Sequence, residues 1–318
     1  MATIVDLEES MKIDCEKVSK KVQEFIHNKI SENSLDGICL GVSGGVDSSV
    51  AASICADALD DPGKVHGLHL YDRDSSSKFT RSAGELAENL GINYDVRDIS
   101  PAVGEQGTYN PLIMKLVPYS YLINKMILLS NEILSPILYG SSPFEVTLKR
   151  QDPSKLRMGF VAGIAKTIEN GFNIRHVTRR KILEDYSAKN NLLLVGAANR
   201  AEAFVGWFVK DGVDDLPIEL IMDLYKGQVR QLAEYFDVPE SITSEKPSPD
   251  MFKGLGDEDL IGHKYSTIDK VAYVYENGLA PETAYSNGVS KQEYEKILTI
   301  HELSAWKREN PHEYPKLH

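Results

Sequence analysis

One stretch restricts this chain more than any other. The apolar run Gly37-Ile38-Cys39-Leu40-Gly41-Val42 leads into Ser43-Gly44-Gly45-Val46-Asp47-Ser48-Ser49, and then into Val50-Ala51-Ala52-Ser53-Ile54-Cys55-Ala56. A short apolar run of this kind is what a parallel strand buried on both faces shows. The turn that follows opens a helix, where backbone N–H groups are unpaired and the helix dipole favours an anion. Gly44 and Gly45 let the backbone curl close to a ligand, and Ser43, Ser48 and Ser49 add hydroxyls. The loop carries no lysine, which excludes the G-x-x-x-x-G-K-[ST] loop, and it is not the G-x-G-x-x-G dinucleotide fingerprint. Asp47 would repel a phosphate unless a divalent cation lay between them, so a magnesium-bridged pyrophosphate satisfies both the glycines and the aspartate. The plainer alternative is a Ser/Gly-rich turn with Asp47 as a helix cap.

The flanking pattern extends this unit. Val65–Leu70 and Tyr94–Ile99 read as strands and Lys78–Leu90 as a helix, the alternation of an α/β fold with a parallel sheet and helices on both faces. Upstream, Leu7, Met11, Cys15, Val18, Val22, Phe25 and Ile26 describe one face of an amphipathic helix. Alternation stops from Ser100 to about Asn173. That stretch reads as a helical insertion (about 104–172), with a helix around Tyr121–Ile133 and a polar segment at Ser141–Lys155. The pattern resumes with a helix at Thr178–Asn190, a strand at Leu192–Gly196 and helices at Asn199–Val209 and Leu224–Phe236. Glu245–Gly262 reads as a Pro/Gly/Asp-rich loop, and Thr267–Glu276 and Lys291–Leu303 as helices. The expected division is one α/β domain over 1–275 and a helical tail, 276–318, closing on the site.

Composition narrows the class of partner. Asp+Glu 47 against Lys+Arg 35 gives a net charge of −12, which argues against nucleic acid held by phosphate contacts and against an anionic membrane surface. The most apolar region, Leu112–Tyr139, is interrupted by Lys115, Pro118, Lys125 and Glu132, so no membrane span is expected. The start, MATIVDLEES, has no basic region before an apolar one, and Cys15, Cys39 and Cys55 are too scattered for a disulfide scaffold or a zinc cluster. The expected setting is the cytoplasm.

The loop resembles S-G-G-x-D-S of the adenine-nucleotide alpha hydrolases, the PP-loop ATP pyrophosphatases, and the second half of the chain looks like NAD synthetase. Leu194-Val195-Gly196-Ala197-Ala198-Asn199-Arg200-Ala201-Glu202 resembles that family's L-G-T-x-N-x-x-E, and Gly206-Trp207-Phe208-Val209-Lys210 its G-Y-F-T-K. Leu224-Tyr225-Lys226 matches L-Y-K, Lys246-Pro247-Ser248-Pro249-Asp250 resembles K-P-S-A-D, and Asp257-Glu258-Asp259 matches an acidic run. Ser304-Ala305-Trp306-Lys307-Arg308 resembles the closing S-x-H-K-R, and Asn173 and Arg179 match two positions of N-x-x-x-R-x-R. The resemblance implies a Rossmann-type fold and an AMP-forming amide ligase. In that family the carboxylate of nicotinic acid adenine dinucleotide is adenylated by ATP, and ammonia then displaces AMP to give NAD. It also implies the roles of residues. The loop Ser43, Gly44, Gly45, Val46, Asp47, Ser48 and Ser49 would bind ATP together with Arg179, Ala197 and Lys226. Asp47 and Glu202 would hold Mg²⁺, while Asn173, Lys210, Asp250 and Lys307 would meet the second substrate. Lys210 and Lys226 would neutralise charge in catalysis. The implied partners are small molecules and a second copy of the chain as a homodimer, with free ammonia, or ammonia from a separate protein, as nitrogen source.

The chain departs from the family where polar contacts are expected. Val177 stands in place of an arginine, Ala197 and Val209 of threonines, Leu260 of a glutamate and Trp306 of a histidine. Each lost hydrogen bond at a polar contact costs about 1–3 kcal/mol. The stretch 104–172 is longer than the family norm. The sequence therefore leaves open an NAD synthetase, a relative adenylating another substrate, and a nucleotide-binding relative without catalysis.

Overall fold

The computed structural model describes residues 5–111, 115, 143–148, 159–248, 250 and 256–317. Its frame is a parallel sheet of β1 (Gly37–Gly41), β2 (Val65–Tyr71), β3 (Asn93–Asp98) and β4 (Leu192–Val195), in the order β3-β2-β1-β4. β1 pairs with β2 (Ile38 opposite Val65) and with β4 (Gly37 opposite Leu192), so it lies inside the sheet. That position explains its unbroken apolar run. Ile38 and Leu40 enter the core on one face and Cys39 the core on the other, following the two-residue period of a strand.

Helices cover both faces, as the α/β reading expects. On one side α2 (Cys15–Asn33), α3 (Val46–Ala58) and α4 (Ser77–Leu90) pack around Val22, Ile26, Val50, Ile54 and Leu86. On the other, α5 (Ser100–Glu105) and a long helix close over Leu68, Leu70, Ile99, Val103 and Leu183. After α6 (Pro143–Leu148), that long helix is α7, Gly159–Lys189. Burying such apolar side chains contributes roughly 1.5–3 kcal/mol each before entropy is counted.

Several expectations need correction. The single N-terminal helix is two: α1 (Leu7–Ser10), which ends at its C-cap Met11, and α2, which Asp14 opens anew, its carboxylate accepting from Lys17 N at 3.0 Å. α7 begins at Gly159 rather than Thr178, so the alternation resumes earlier than the pattern suggested. The helix expected over Asn199–Val209 is α8, Arg200–Val205, ended by Gly206 at φ +71°. After α9 (Lys226–Tyr235) and the short α10 (Glu240–Thr243), the segment read as a Glu245–Gly262 loop contains α11, Asp257–Ile261. Its acidic first turn complements the helix dipole. The helix expected at Tyr121–Ile133 and most of the polar segment Ser141–Lys155 lie outside the described residues; within that segment, Pro143–Leu148 is the helix α6.

The C-terminal helices α12 (Tyr265–Glu276), α13 (Pro281–Ser286) and α14 (Lys291–Leu303) share a second core with α8, built on Phe204, Ile268, Val271 and Ile297. No helix among the described residues is long and apolar enough to cross a membrane.

Candidate active site

The chain leaves the sheet at Ser43: Val42 N still donates to Leu68 O at 2.9 Å. Ser48 Oγ accepts from Ser43 N (3.1 Å) and lies 2.9 Å from Ser43 Oγ, which accepts from Gly45 N (3.2 Å). Gly44 sits at φ +84°, where a Cβ would collide with the carbonyl oxygen of Phe79, so the turn tolerates nothing larger. Gly45 is the N-cap of α3 and Asp47 is its second residue, so the capping role considered for Asp47 falls to the backbone of Gly45. The Asp47 side chain does something else. Its Oδ1 accepts from Asn199 Nδ2 at 3.0 Å and its Oδ2 from Lys226 Nζ.

Glu202 arrives at the same point from α8. Asn199 and Glu202 form a capping box: Glu202 N donates to Asn199 Oδ1 (3.1 Å) and Asn199 N to Glu202 Oε2 (3.4 Å). The other oxygen, Oε1, accepts from Lys226 Nζ (3.4 Å) and from the Tyr265 hydroxyl (3.4 Å). Lys226, 2% exposed, opens α9, and the backbone N–H groups of Lys226 and Gly227 are held by the Asp269 carboxylate at 3.1 and 2.8 Å. Burial works against the Lys226 ammonium, but Asp47 and then Glu202 outweigh it and its pKa is raised. Burial pushes Glu202 up to about 8 against the pull of Lys226, with Asp47 and Asp257 adding to the rise. Asp257, pushed up to about 6 chiefly by burial, accepts from the Tyr265 hydroxyl at 3.3 Å through Oδ2. Among the described residues its Oδ1 is buried with no hydrogen-bond partner. Two carboxylates from different helices thus converge on one positive charge, and hard oxygen donors of this kind fit Mg²⁺ as well as they fit an ammonium.

Asp47, Glu202 and Asp257 line a cleft of about 280 Å³ beyond the C-terminal ends of β1, β2 and β4, where the strand order turns back across β1. Of the residues singled out in the sequence, Ser43, Gly45, Val46, Asp47 and Ser48 line it, with Arg179, Ala197, Glu202 and Asp250 facing them. Arg179 Nε donates to Leu70 O at 3.0 Å. Asp250 Oδ1 accepts from Ser76 N (2.9 Å), and burial pushes its carboxyl up to about 7. Gly44 and Lys226 are not among the lining residues, and the other candidates lie elsewhere. Ser49 turns inward, its hydroxyl on Gly45 O (2.8 Å), and Asn173 is exposed on α7. Lys210 Nζ donates to Trp306 O and Glu309, each at 3.0 Å. Lys307 Nζ donates to Gly206 O (2.7 Å) and Phe208 O, and burial lowers its pKa to about 8.

The model of the family described as NAD synthase matches residues 18–110 and 158–311. The chain belongs to the NAD synthase family. It is an enzyme, an ATP-dependent ligase. An NH3-dependent NAD+ synthetase of Coprothermobacter proteolyticus is 32% identical over 271 residues, which cover 83% of this chain and 86% of that one. One of Staphylothermus marinus is 30% identical over 314 residues, covering 97% of this chain and 94% of its own, so it spans the segment that separates the two matched blocks. Among solved structures, an NMN synthetase from Francisella tularensis superposes with a TM-score of 0.65 at 23% identity, covering 94% of this chain and 98% of that one. That likeness is one of fold.

Set against NAD synthase motifs, the departures mostly avoid the cleft. Of Val177, Ala197, Val209, Leu260 and Trp306, only Ala197 lines it. Val177 is 43% exposed on α7, and Trp306 Nε1 donates to Leu148 O at 3.3 Å. Sequence reasoning missed Tyr265 and Asp269, which with Asn199 orient Asp47, Glu202 and Lys226, and it noted Asn199 only as a motif position and helix start. It noted Asp257 only as part of an acidic run. It also missed the buried Arg175, whose guanidinium joins Asp72 and Asp74 just beyond β2. Glu202 three places after Asn199 was the available signal for the capping box; Arg175, Tyr265 and Asp269 had none.

Proposed function

We propose that this NAD synthase is ammonia-dependent and takes nicotinic acid adenine dinucleotide as its carboxylate substrate, acting in the cytoplasm as a homodimer. The observation that carries the reading is the convergence of Asp47 and Glu202 on buried Lys226 at the mouth of the Ser43–Ser48 turn. ATP would lie with its β and γ phosphates on the amides and hydroxyls of that turn. Asp47 and Glu202 would hold Mg²⁺, which when bound neutralises charge on the phosphates. Lys226 would shift from its carboxylate pair to the phosphate oxygens, since its positive charge is kept by the raised pKa. In the first step a carboxylate oxygen bonds to the α-phosphorus and pyrophosphate leaves. In the second, the nitrogen of ammonia bonds to the acyl carbon, AMP departs with the C–O electron pair, and a nitrogen-bound proton is released. The apolar walls of the cleft, Leu40, Leu68 and Val195, keep water from the adenylate.

The test incubates the chain with ATP, Mg²⁺ and ammonium chloride, with and without the dinucleotide, and reads AMP and NAD in parallel. Equal amounts of AMP and NAD, only when the dinucleotide is present, support the reading. ATP binding without NAD formation overturns it. Sedimentation equilibrium decides the homodimer.

A further inference from the structure

β2 carries a polar ring where packing alone would take an apolar side chain. Val65 enters the core beneath α3 and α4, and His69 shares that face of the strand by the two-residue period. His69 is buried, yet both of its ring nitrogens have partners. Nδ1 lies 2.8 Å from Val42 O, and Nε2 lies 3.0 Å from the Thr80 hydroxyl. A carbonyl only accepts, so Nδ1 carries the proton. Burial, with Arg179 adding to it, holds the ring's pKa below its ordinary value despite the Val42 bond. At neutral pH the ring is therefore uncharged and Nε2 accepts from Thr80.

Both partners bear on the Ser43–Ser48 turn. The peptide joining Val42 to Ser43 is planar, with its carbonyl and its N–H pointing opposite ways. His69 holds the carbonyl and Ser48 Oγ accepts from the N–H at 3.1 Å, so the plane is fixed at both edges. Ser48 Oγ in turn donates to Gly45 O at 3.1 Å and lies against Ser43 Oγ. Thr80 follows Phe79 on α4, whose carbonyl is the atom a Cβ at Gly44 would strike. His69 thus ties the start of the turn to the helix against which the turn leans. His69, Ser43 and Ser48 all line the cleft. With both nitrogens engaged inside the protein, the ring acts on a ligand through the turn.

We propose that His69 is a positioning residue for ATP: its Nδ1–H sets the tilt of the Val42–Ser43 peptide, and through it the amides and hydroxyls of the turn that receive the phosphates. The inference rests on the reading that ATP places its β and γ phosphates on this turn.

Inorganic pyrophosphate with Mg²⁺ probes the turn, and the dinucleotide alone is the control for the rest of the cleft. His69→Gln reaches Thr80 but gives up Val42 O; His69→Asn keeps an N–H for Val42 O and gives up Thr80. Both variants melt lower, since each loses one buried hydrogen bond. Calorimetric titration at about 15 °C, near the usual maximum of protein stability, keeps both folded. His69→Gln is expected to bind pyrophosphate about three- to thirtyfold more weakly, with KM for ATP raised to match and the dinucleotide Kd unchanged. His69→Asn binds pyrophosphate as the native chain does. His69→Asn binding no better than His69→Gln overturns the proposal. So does a dinucleotide Kd that rises as far as that of pyrophosphate, the mark of a merely structural histidine. A native chain that binds no pyrophosphate overturns instead the placement of ATP on the turn.

Discussion

Replacing Arg175 by methionine is expected to cost about 3 kcal/mol of stability, and to cost less as the pH falls. Arg175 is 1% exposed, and its side chain reaches Asp72 and Asp74, whose side chains are wholly buried. Breaking a buried ion pair from one side costs about 3–5 kcal/mol, because the remaining charge is left uncompensated. Here the loss is tempered. Asp74 keeps Arg73 at 2.8 Å, and Asp72 keeps Asp74 N (2.9 Å), the Tyr109 hydroxyl (3.2 Å) and the field of Arg179. These put the figure at the lower end, a drop of roughly 4–5 °C in melting temperature for a chain of this size. In the native protein burial raises the Asp72 carboxyl, while Arg175 and then Arg179 outweigh it, so its pKa lies below the ordinary 3.8. That stabilisation is present above pH 3.8 and is lost only as pH falls through the lowered value. Without Arg175 burial dominates, the carboxyl moves up, and protonation relieves the variant on acidification. Urea and thermal unfolding at pH 8 and pH 5 measure both effects, with Arg175→Lys as the control that keeps the charge but not the fork. A deficit under about 1 kcal/mol at pH 8, or one equally large at pH 5, would refute the reasoning.

Gly44→Ala places a side chain at φ +84° against Phe79 O; it is expected to lose about 1–3 kcal/mol and most ATP affinity, read by melting and calorimetry. Lys226→Met leaves Asp47 and Glu202 facing each other, so kcat is expected to fall about 100-fold or more, while Mg²⁺ raises the melting temperature further than in the native protein. Burial holds Asp250 near 7 against an ordinary 3.8, so the folded state binds its proton more tightly and stability declines as pH rises across that window. Asp250→Asn is therefore expected to flatten the stability profile between pH 4 and 7, checked by melting at half-unit steps.

The central strand and the glycine turn after it could be read from the sequence because both are local: burial on two faces makes β1 apolar without interruption, and the close approach of Phe79 O demands Gly44. Where local signals competed, the outcome lay in side-chain chemistry. Asp14 divides a helical periodicity that looks continuous, and Gly206 ends α8 before Val209. The carboxylates Asp47 and Glu202 could be paired only through the family resemblance, since 154 intervening positions hide a contact made at one lysine. Arg175 and Tyr265 act through partners on other elements, Asp72 and Asp257, and no spacing along the chain announces a tertiary hydrogen bond.

Glu202 divides its two oxygens between unlike tasks, one closing the first turn of a six-residue helix and the other facing Lys226. A cation held there would draw that carboxylate from the Asn199 amide, leaving the start of α8 to the Asn199 side chain, which accepts from Glu202 N at 3.1 Å, and to Arg200 N, which donates to Leu224 O at 2.8 Å. The amide proton of Asn199 is expected to exchange faster with solvent deuterium when the cleft fills, while the amides of β1 beside it slow, which would make one backbone position a built-in gauge of ligand.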